Sequence, residues 1–278
     1  MKLANAFSLL SDLRIAIQVA IIPTLTSIFQ NPGLVFRPYQ LSRVFMAHVW
    51  AVFGDGVDTG GKEVKEGLIT PNAYGVVLDI GAGHGHTVRY LDRARVTHYV
   101  ALEPNELMHE HIRAQANAAG YHESDGTLVI LSCGAEDATS ILSALSQALP
   151  STNAQALGPP VDTMISILTL CTIPEPQRTL TNLVRDVLKP EGQFLVYEHV
   201  LSPREDVAWW QRFWAPLWAR AFDGCRMDRP SDVWVKELQL DVGDGTVESA
   251  WRESDAWGKE GEDEENLFWH VVGRFIKR

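Results

Sequence analysis

The clearest periodicity lies between residues 76 and 200, where short apolar runs of strand length alternate with longer stretches of helical spacing. Strands are expected at Val76 to Ile80, His98 to Leu102, Thr127 to Ser132, Val161 to Leu168 and Gln193 to Glu198, and helices at about 85–94, 106–119, 137–148 and 175–188. Apolar strands separated by helices imply a parallel sheet covered on both faces. Upstream, residues 1 to about 74 read as helical and end in GDGVDTGGKEVKEG, expected to form a loop and a short charged helix. Downstream, VWVKELQLDV and TVESAWRE are expected to pair as strands, and the alternation in LFWHVVGRFIKR predicts a terminal one. PSTNAQALGPP at 150–160 reads as a surface connection and GKEGEDEENLF at 258–268 as a solvated acidic loop.

The turn after the first strand carries the chemistry. VVLDIGAGHGHTVRYL places Gly81, Gly83 and Gly85 directly after a buried strand, and YVALEPN ends the second strand on Glu103, eighteen residues after Gly85. Glycines let the backbone turn sharply and bring its amides close to a ligand, and an acid at the end of the next strand can accept hydrogen bonds from both hydroxyls of a ribose. The spacing is GxGxG rather than the GxGxxG of dinucleotide sites, and Asp79 precedes the first glycine by two residues. An acid there would repel a pyrophosphate but suits an amine or a sulfonium.

This turn, with Asp79 before it and Glu103 after it, resembles motif I of the class I S-adenosylmethionine-dependent methyltransferases. In order along the chain, SCGAEDA, VDTMISILTLCTIPEP and VLKPEGQFLVYEHV resemble the later motifs of that superfamily. TLCTIPEP, YEHV, the FDGC box with its preceding tryptophan and HVVGRFIK together resemble the methyltransferase-like family that contains mammalian alkyl-thiol methyltransferases and fungal-type members, over roughly residues 75–278. The resemblance implies a Rossmann-like, doubly wound, seven-stranded α/β sheet, mostly parallel with the last strand antiparallel. It implies a methyltransferase domain at 75–278; the apolar helical patterns outside the alternating core read as an inserted aromatic helix at 205–225 and a helical cap or lid at 1–74. Bound S-adenosyl-L-methionine would be held by Asp79, Gly81, Ala82, Gly83, Gly85, Glu103, Pro104, Ala135, Glu136 and Leu168. The frequent Asp before Ala135 is Gly134 here.

The methyl acceptor implied is a small, largely apolar molecule, methylated on sulfur or oxygen, such as a secondary metabolite. Candidate bases are His199, just past the fifth strand, and Asp223 in the FDGC box. Trp209, Trp210, Phe213, Trp214, Trp218 and Phe222, mostly at helical spacing, form either a helix packed on the sheet or a substrate wall. Two alternatives share the fold: an enzyme that binds the cofactor and catalyses another reaction, such as a cyclisation, and an inactive partner module.

Composition narrows this further. A formal charge of -11 argues against non-specific nucleic-acid binding. Cys133, Cys171 and Cys225 are scattered without a CxxC, so the sequence indicates neither a disulfide framework nor a metal site. A reducing cytoplasm is the expected location, with peripheral association with the endoplasmic reticulum as the alternative. The segment LRIAIQVAIIPTLTSIF contains Arg14, Gln18 and Pro23 and is barely long enough to span a bilayer. It is expected to pack over the cofactor domain, with a membrane-surface helix as the alternative.

Overall fold

The computed structural model describes residues 1–149, 158–241, 243 and 245–278. The connection expected at 150–160 therefore lies mostly outside the described residues. Among the described residues nine strands form: β1 (Gly75–Ile80), β2 (Val96–Leu102), β3 (Leu128–Leu131), β4 (Val161–Ile167), β5 (Leu188–His199), β6 (Gln239–Asp241), β7 (Val247–Ser249), β8 (Trp251–Gly258) and β9 (His270–Lys277). Seven build one sheet in the order β3-β2-β1-β4-β5-β9-β8. Strands β1 to β5 are parallel, and β9 runs antiparallel to both β5 and β8. The fold class expected from the sequence is thus the one observed, and β6 pairs with β7 as a separate ribbon.

Alternate residues of each central strand feed opposite faces, as the two-residue repeat of a strand requires. Leu78, Val100, Met164 and Phe194 join one core, against Ile141 and Leu145 of α6 (Ala138–Ala148) and Leu180 of α7 (Pro176–Asn182). Val77, Tyr99, Ile165 and Leu195 join the other, against Leu68 and Ile69 of α4 (Lys62–Ile69) and Ile112 of α5 (His109–Ala118). Each such side chain, fully buried, contributes about 1.5–3 kcal/mol. The strand order reverses between β1 and β4, so their carboxyl ends open a crevice where ligands of open α/β sheets bind.

Two local expectations are corrected. The helix expected at 85–94 is a single 3-10 turn, His86–Tyr90, because Gly85 is left-handed and β2 already begins at Val96. The glycine-rich stretch expected to be a loop continues a helix, α3 (Pro38–Gly60). Two of its glycines serve close approach: a Cβ at Gly54 would stand 3.0 Å from His86, and one at Gly61 2.9 Å from Tyr197.

The remaining helices are α1 (Leu3–Ala6), α2 (Ser8–Gln30), α8 (Glu205–Ala221) and α9 (Ser231–Lys236). Helices α2, α3 and α8 lie over the carboxyl end of the sheet. Asp58 at the end of α3 fastens this roof to the glycine turn: Lys65 pairs with it, Arg89 Nη1 donates to it at 3.1 Å and the Tyr90 hydroxyl at 2.9 Å.

Candidate active site

The glycine turn is built as its sequence suggests. Gly81, Gly83 and Gly85 have φ of 67°, 56° and 80°, a region that L side chains rarely adopt. A Cβ at Gly81 would collide with Thr169, and one at Gly83 would stand 3.0 Å from Trp50 Nε1. Glu103 ends β2 and is buried at 7 % exposure. Its Oε2 accepts from the Gly83 N–H and its Oε1 from the Asn105 N–H, each at 2.8 Å. Burial pushes this carboxyl up to about 7, against the lowering pull of those two amides. Pro104 separates the acid from Asn105, which holds the backbone of α3 through its Nδ2 on the Arg43 carbonyl at 3.1 Å.

Asp79 does something other than face a ligand. It is 1 % exposed, Tyr99 Oη donates to its Oδ2 at 2.7 Å, and it lines neither of the cavities described below. Burial pushes its carboxyl up to about 6, opposed by hydrogen bonds from Tyr99 and Thr87. It braces the turn from beneath, its carboxylate turned to Tyr99 on the adjacent strand. Ala135 is buried after β3, whereas Glu136 is exposed and folds back over Gly134. The start of α6 is capped by Asp137, whose Oδ1 accepts from the Ser140 N–H at 3.0 Å.

At the end of β4, Leu168 has φ 56°, a strained conformation for a non-glycine residue, fixed by its N–H on the Tyr197 carbonyl at 2.9 Å. It borders two adjoining cavities. The smaller, about 50 Å³, lies over the turn and is lined by Gly81, Ala82, Gly83, Thr87, Trp50 and Asp58 among others. The larger, about 430 Å³, lies under the helical roof. Ala16 of α2, Val49 and Phe53 of α3 and Trp218 and Phe222 from α8 and its end form its apolar walls, and Cys171, His199 and Cys225 lie along it. Trp50, Val57, Leu168 and Tyr197 border both spaces.

The two candidate bases are not brought together on one acceptor. His199 lines the larger cavity, but its Nε2 faces Cys225 Sγ at 3.5 Å and its Nδ1 is buried without a partner among the described residues. The Cys171 hydrogen bond and then the neighbouring His199 hold the Cys225 thiol well below the usual range, while Cys171 is pushed well above it, by the Cys225 hydrogen bond before burial. Asp223 lines neither cavity. It pairs with Arg43 Nε at 3.4 Å, on the side of the crevice where its charge is felt by Glu103. The aromatic run divides as well: Trp218 and Phe222 line the cavity, stacked with centroids 4.0 Å apart, while Trp209 and Phe213 are more than half exposed. Trp214 is buried against the N-terminus, its Nε1 donating to the Ala6 carbonyl at 2.7 Å.

Trp50, Tyr197, Cys171 and His270 escaped the sequence reading. The signal for Cys171 was its place three residues beyond Leu168, at the end of a strand neighbouring the one that ends on His199. The residues present suit S-adenosylmethionine: the glycine cradle has no room for a Cβ, Glu103 stands at the end of β2, and Trp50 Nε1, beside Gly83, is a buried donor without a partner among the described residues.

Comparison with known proteins agrees with this geometry. Residues 62–234 match a family model described as a methyltransferase domain. The thiol S-methyltransferase TMT1B of Rattus norvegicus is 37 % identical over 81 residues, 29 % of this chain and 33 % of that protein. Its Homo sapiens counterpart is 35 % identical over 80 residues, 28 % and 31 % of the two chains. The matched segment thus spans about a third of these curated relatives. Among solved structures, an O-methyltransferase family protein from Burkholderia thailandensis superposes with TM-score 0.53 at 11 % identity, over 86 % of this chain and 60 % of that one. The YcgJ protein of Bacillus subtilis does so with TM-score 0.50 at 16 % identity, over 78 % and 99 %. At these identities the structural likeness shows the fold.

Proposed function

The chain belongs to the class I S-adenosylmethionine-dependent methyltransferases, and from that premise we propose that its acceptor is a small, largely apolar thiol. The observation that carries this reading is the cavity of about 430 Å³ beside the glycine turn, apolar along most of its wall and bordered by Cys171, His199 and Cys225. Glu103 would hold the ribose, the glycine turn from Gly81 to Gly85 would lie against the amino-acid end, and the Ala135 backbone would meet the adenine, with Pro104 and Leu168 shaping the walls. When bound, the cofactor supplies an activated methyl group on a sulfonium. The chain's part is to align the acceptor and exclude water, which the roof of α2, α3 and α8 does. A thiol suits such a site because its ionised form is already a strong nucleophile near neutral pH, so a free general base is unnecessary. Asp223, paired with Arg43 outside the cavity, is then no base. Residues 1–74 act as a lid, with α8 as its other half.

The test is a panel of apolar thiols, phenols and amines incubated with the protein and S-adenosylmethionine, followed by mass spectrometry of the methylated product. Thioether formation from the thiols alone is expected. Products from phenols at comparable rates, with thiols inert, would refute the acceptor assignment.

The roof also bears on where the protein works. Among the described residues one helical stretch, Leu3–Gln30, is long and apolar enough to cross a membrane. At the tip where α2 turns into α3, Ile22, Leu25, Phe29, Phe36 and Tyr39 are all more than half exposed. A contiguous apolar tip of this kind favours peripheral membrane contact over a freely cytoplasmic protein. Sedimentation with neutral lipid vesicles should capture the protein, and the double variant Phe29→Ser, Phe36→Ser should stay in the supernatant. Equal partitioning of the two proteins would remove this reading.

A further inference from the structure

We infer that Cys171, His199 and Cys225 form a metal site for a thiophilic divalent ion, Zn²⁺, with its fourth coordination position open to the acceptor cavity. Their three ligand atoms lie within 4.8 Å of one another and all three residues are buried. Tetrahedral zinc, with bonds of about 2.3 Å to sulfur and about 2.0–2.1 Å to nitrogen, places those ligand atoms about 3.5 Å apart. The observed separation between Cys225 Sγ and His199 Nε2 is 3.5 Å.

The polar accounting points the same way. His199 is 6 % exposed, yet its Nε2 has a sulfur at 3.5 Å as its one hydrogen-bond partner among the described residues, the nitrogen that an ion would complete, whereas Nδ1 would gain nothing from the ion. Buried polar groups in native proteins are nearly always better satisfied than this, unless an ion or ligand completes them. A disulfide between the two cysteines would leave the imidazole without even that contact. A divalent ion uses all three groups together: each thiol gives up its proton to solvent as its Zn–S bond forms, and two thiolates neutralise the ion's charge, as an apolar pocket requires. A neighbouring group is placed to support it. Arg229 Nη1 donates to the Leu170 and Ile173 carbonyls at 2.8 Å, fixing the loop that carries Cys171.

Two cysteines and one histidine with an open fourth position make a set suited to a catalytic rather than a structural zinc. Here all three ligands line the cavity whose wall also carries Trp218, Phe222 and Phe268, so the open position would give onto it. A thiol entering it would bind the ion as thiolate, its proton leaving to solvent, and would stand ready for methylation. This last step rests on the thiol reading of the acceptor, whereas the site itself does not.

The experiment begins with the full-length protein, reduced, stripped with chelator and titrated with Zn²⁺ or Co²⁺. About one equivalent of Zn²⁺ by mass spectrometry and a thiolate-to-cobalt charge-transfer band in the near ultraviolet are expected. Cys171→Ser, Cys225→Ser and His199→Gln should each weaken binding by at least about 10- to 100-fold, the range already seen on losing an outer-shell partner. Calorimetry with S-adenosylmethionine reports that these variants are folded. Should the serine variants fail to fold, the cobalt spectrum of the unaltered protein still decides, because a band without thiolate character overturns the site. Thiol methylation at full rate by a protein free of metal would overturn the ion's part in binding the acceptor while sustaining the acceptor reading. Stoichiometric zinc with no thiol turnover would sustain the site and refute the acceptor reading.

Discussion

Glu103 gives the sharpest test of how the cofactor is held. Its carboxyl is pushed up to about 7 by burial, so the free protein is half protonated there near neutral pH. Ribose hydroxyls donate hydrogen bonds, and therefore favour the ionised form. Cofactor affinity should accordingly be level above about pH 8 and fall as the acid protonates, by about 30-fold at pH 5.5 for a site titrating near 7. Glu103→Gln keeps the shape and an acceptor oxygen for one of the Gly83 and Asn105 amides, but removes the charge and turns an NH2 donor toward the other. Hydrogen bonds to a charged group are worth about 1.5–3 kcal/mol, so at pH 8 the variant should bind about 10- to 150-fold more weakly. Its own pH slope also subtracts every other titrating group, including those of the cofactor, and at pH 5.5 the two proteins should converge. Isothermal calorimetry at both pH values is the assay. Stability offers a cross-check: the folded acid holds its proton more tightly than the unfolded one, so this group's contribution to stability without cofactor falls as pH rises from about 4.5 to about 7. An affinity for the unaltered protein that stays flat from pH 8 to 5.5, or a glutamine variant that binds as well as it does, would refute the ribose role.

Three further outcomes are expected. Gly81→Ala forces a left-handed residue against Thr169, adding about 1–2 kcal/mol of backbone strain to the collision, and should abolish cofactor binding in calorimetry while a lowered thermal midpoint records the strain. Asp58→Asn leaves buried Lys65 without its counter-charge, which should cost about 3–5 kcal/mol in urea unfolding; a loss below about 1 kcal/mol would mean the roof is held mainly by packing. Trp218→Leu removes the ring stacked on Phe222 and should raise the acceptor KM by about 2- to 10-fold with cofactor affinity unchanged, whereas an equal loss in both would place Trp218 outside the acceptor wall.

What the sequence could disclose follows from the range over which its signals act. Strand and helix periodicity is local, so the five parallel strands, the glycine turn and Glu103 were legible, as was the antiparallel closing strand through the family resemblance. The place of Asp79 beside the turn is legible in the sequence, but its bond from Tyr99 on the adjacent strand is a pairing between strands that no local pattern discloses. The Gly54 to Gly61 stretch read as a loop because glycine lowers helix propensity, yet here the missing side chains let α3 lie against His86 and Tyr197. The aromatic run could not be divided into wall and surface without knowing which face of α8 meets α1 and which meets the cavity. Cys171, His199 and Cys225 are distant in sequence, and only the adjacency of β4 and β5 together with the return of the chain after α8 brings them together.

The roof couples the two halves of the site through one helix. Trp50 and Val57 of α3 touch both the space over the glycine turn and the acceptor cavity, and Asn105, bonded to the Arg43 carbonyl, ties the same helix to the loop after Glu103. A shift of α3 that admits the cofactor beneath Trp50 must therefore also move Val49 and Phe53 on the acceptor wall. Closure on one ligand pre-forms the site for the other, which is positive coupling in the thermodynamic sense and must be reciprocal. The apolar acceptor should thus bind more tightly to the protein already loaded with S-adenosylhomocysteine, and the product cofactor more tightly in the presence of acceptor, by the same factor. Calorimetric titrations in both orders measure that factor. Two independent affinities would mean that α3 is a rigid wall between separate sites and that the helical roof excludes water without linking them.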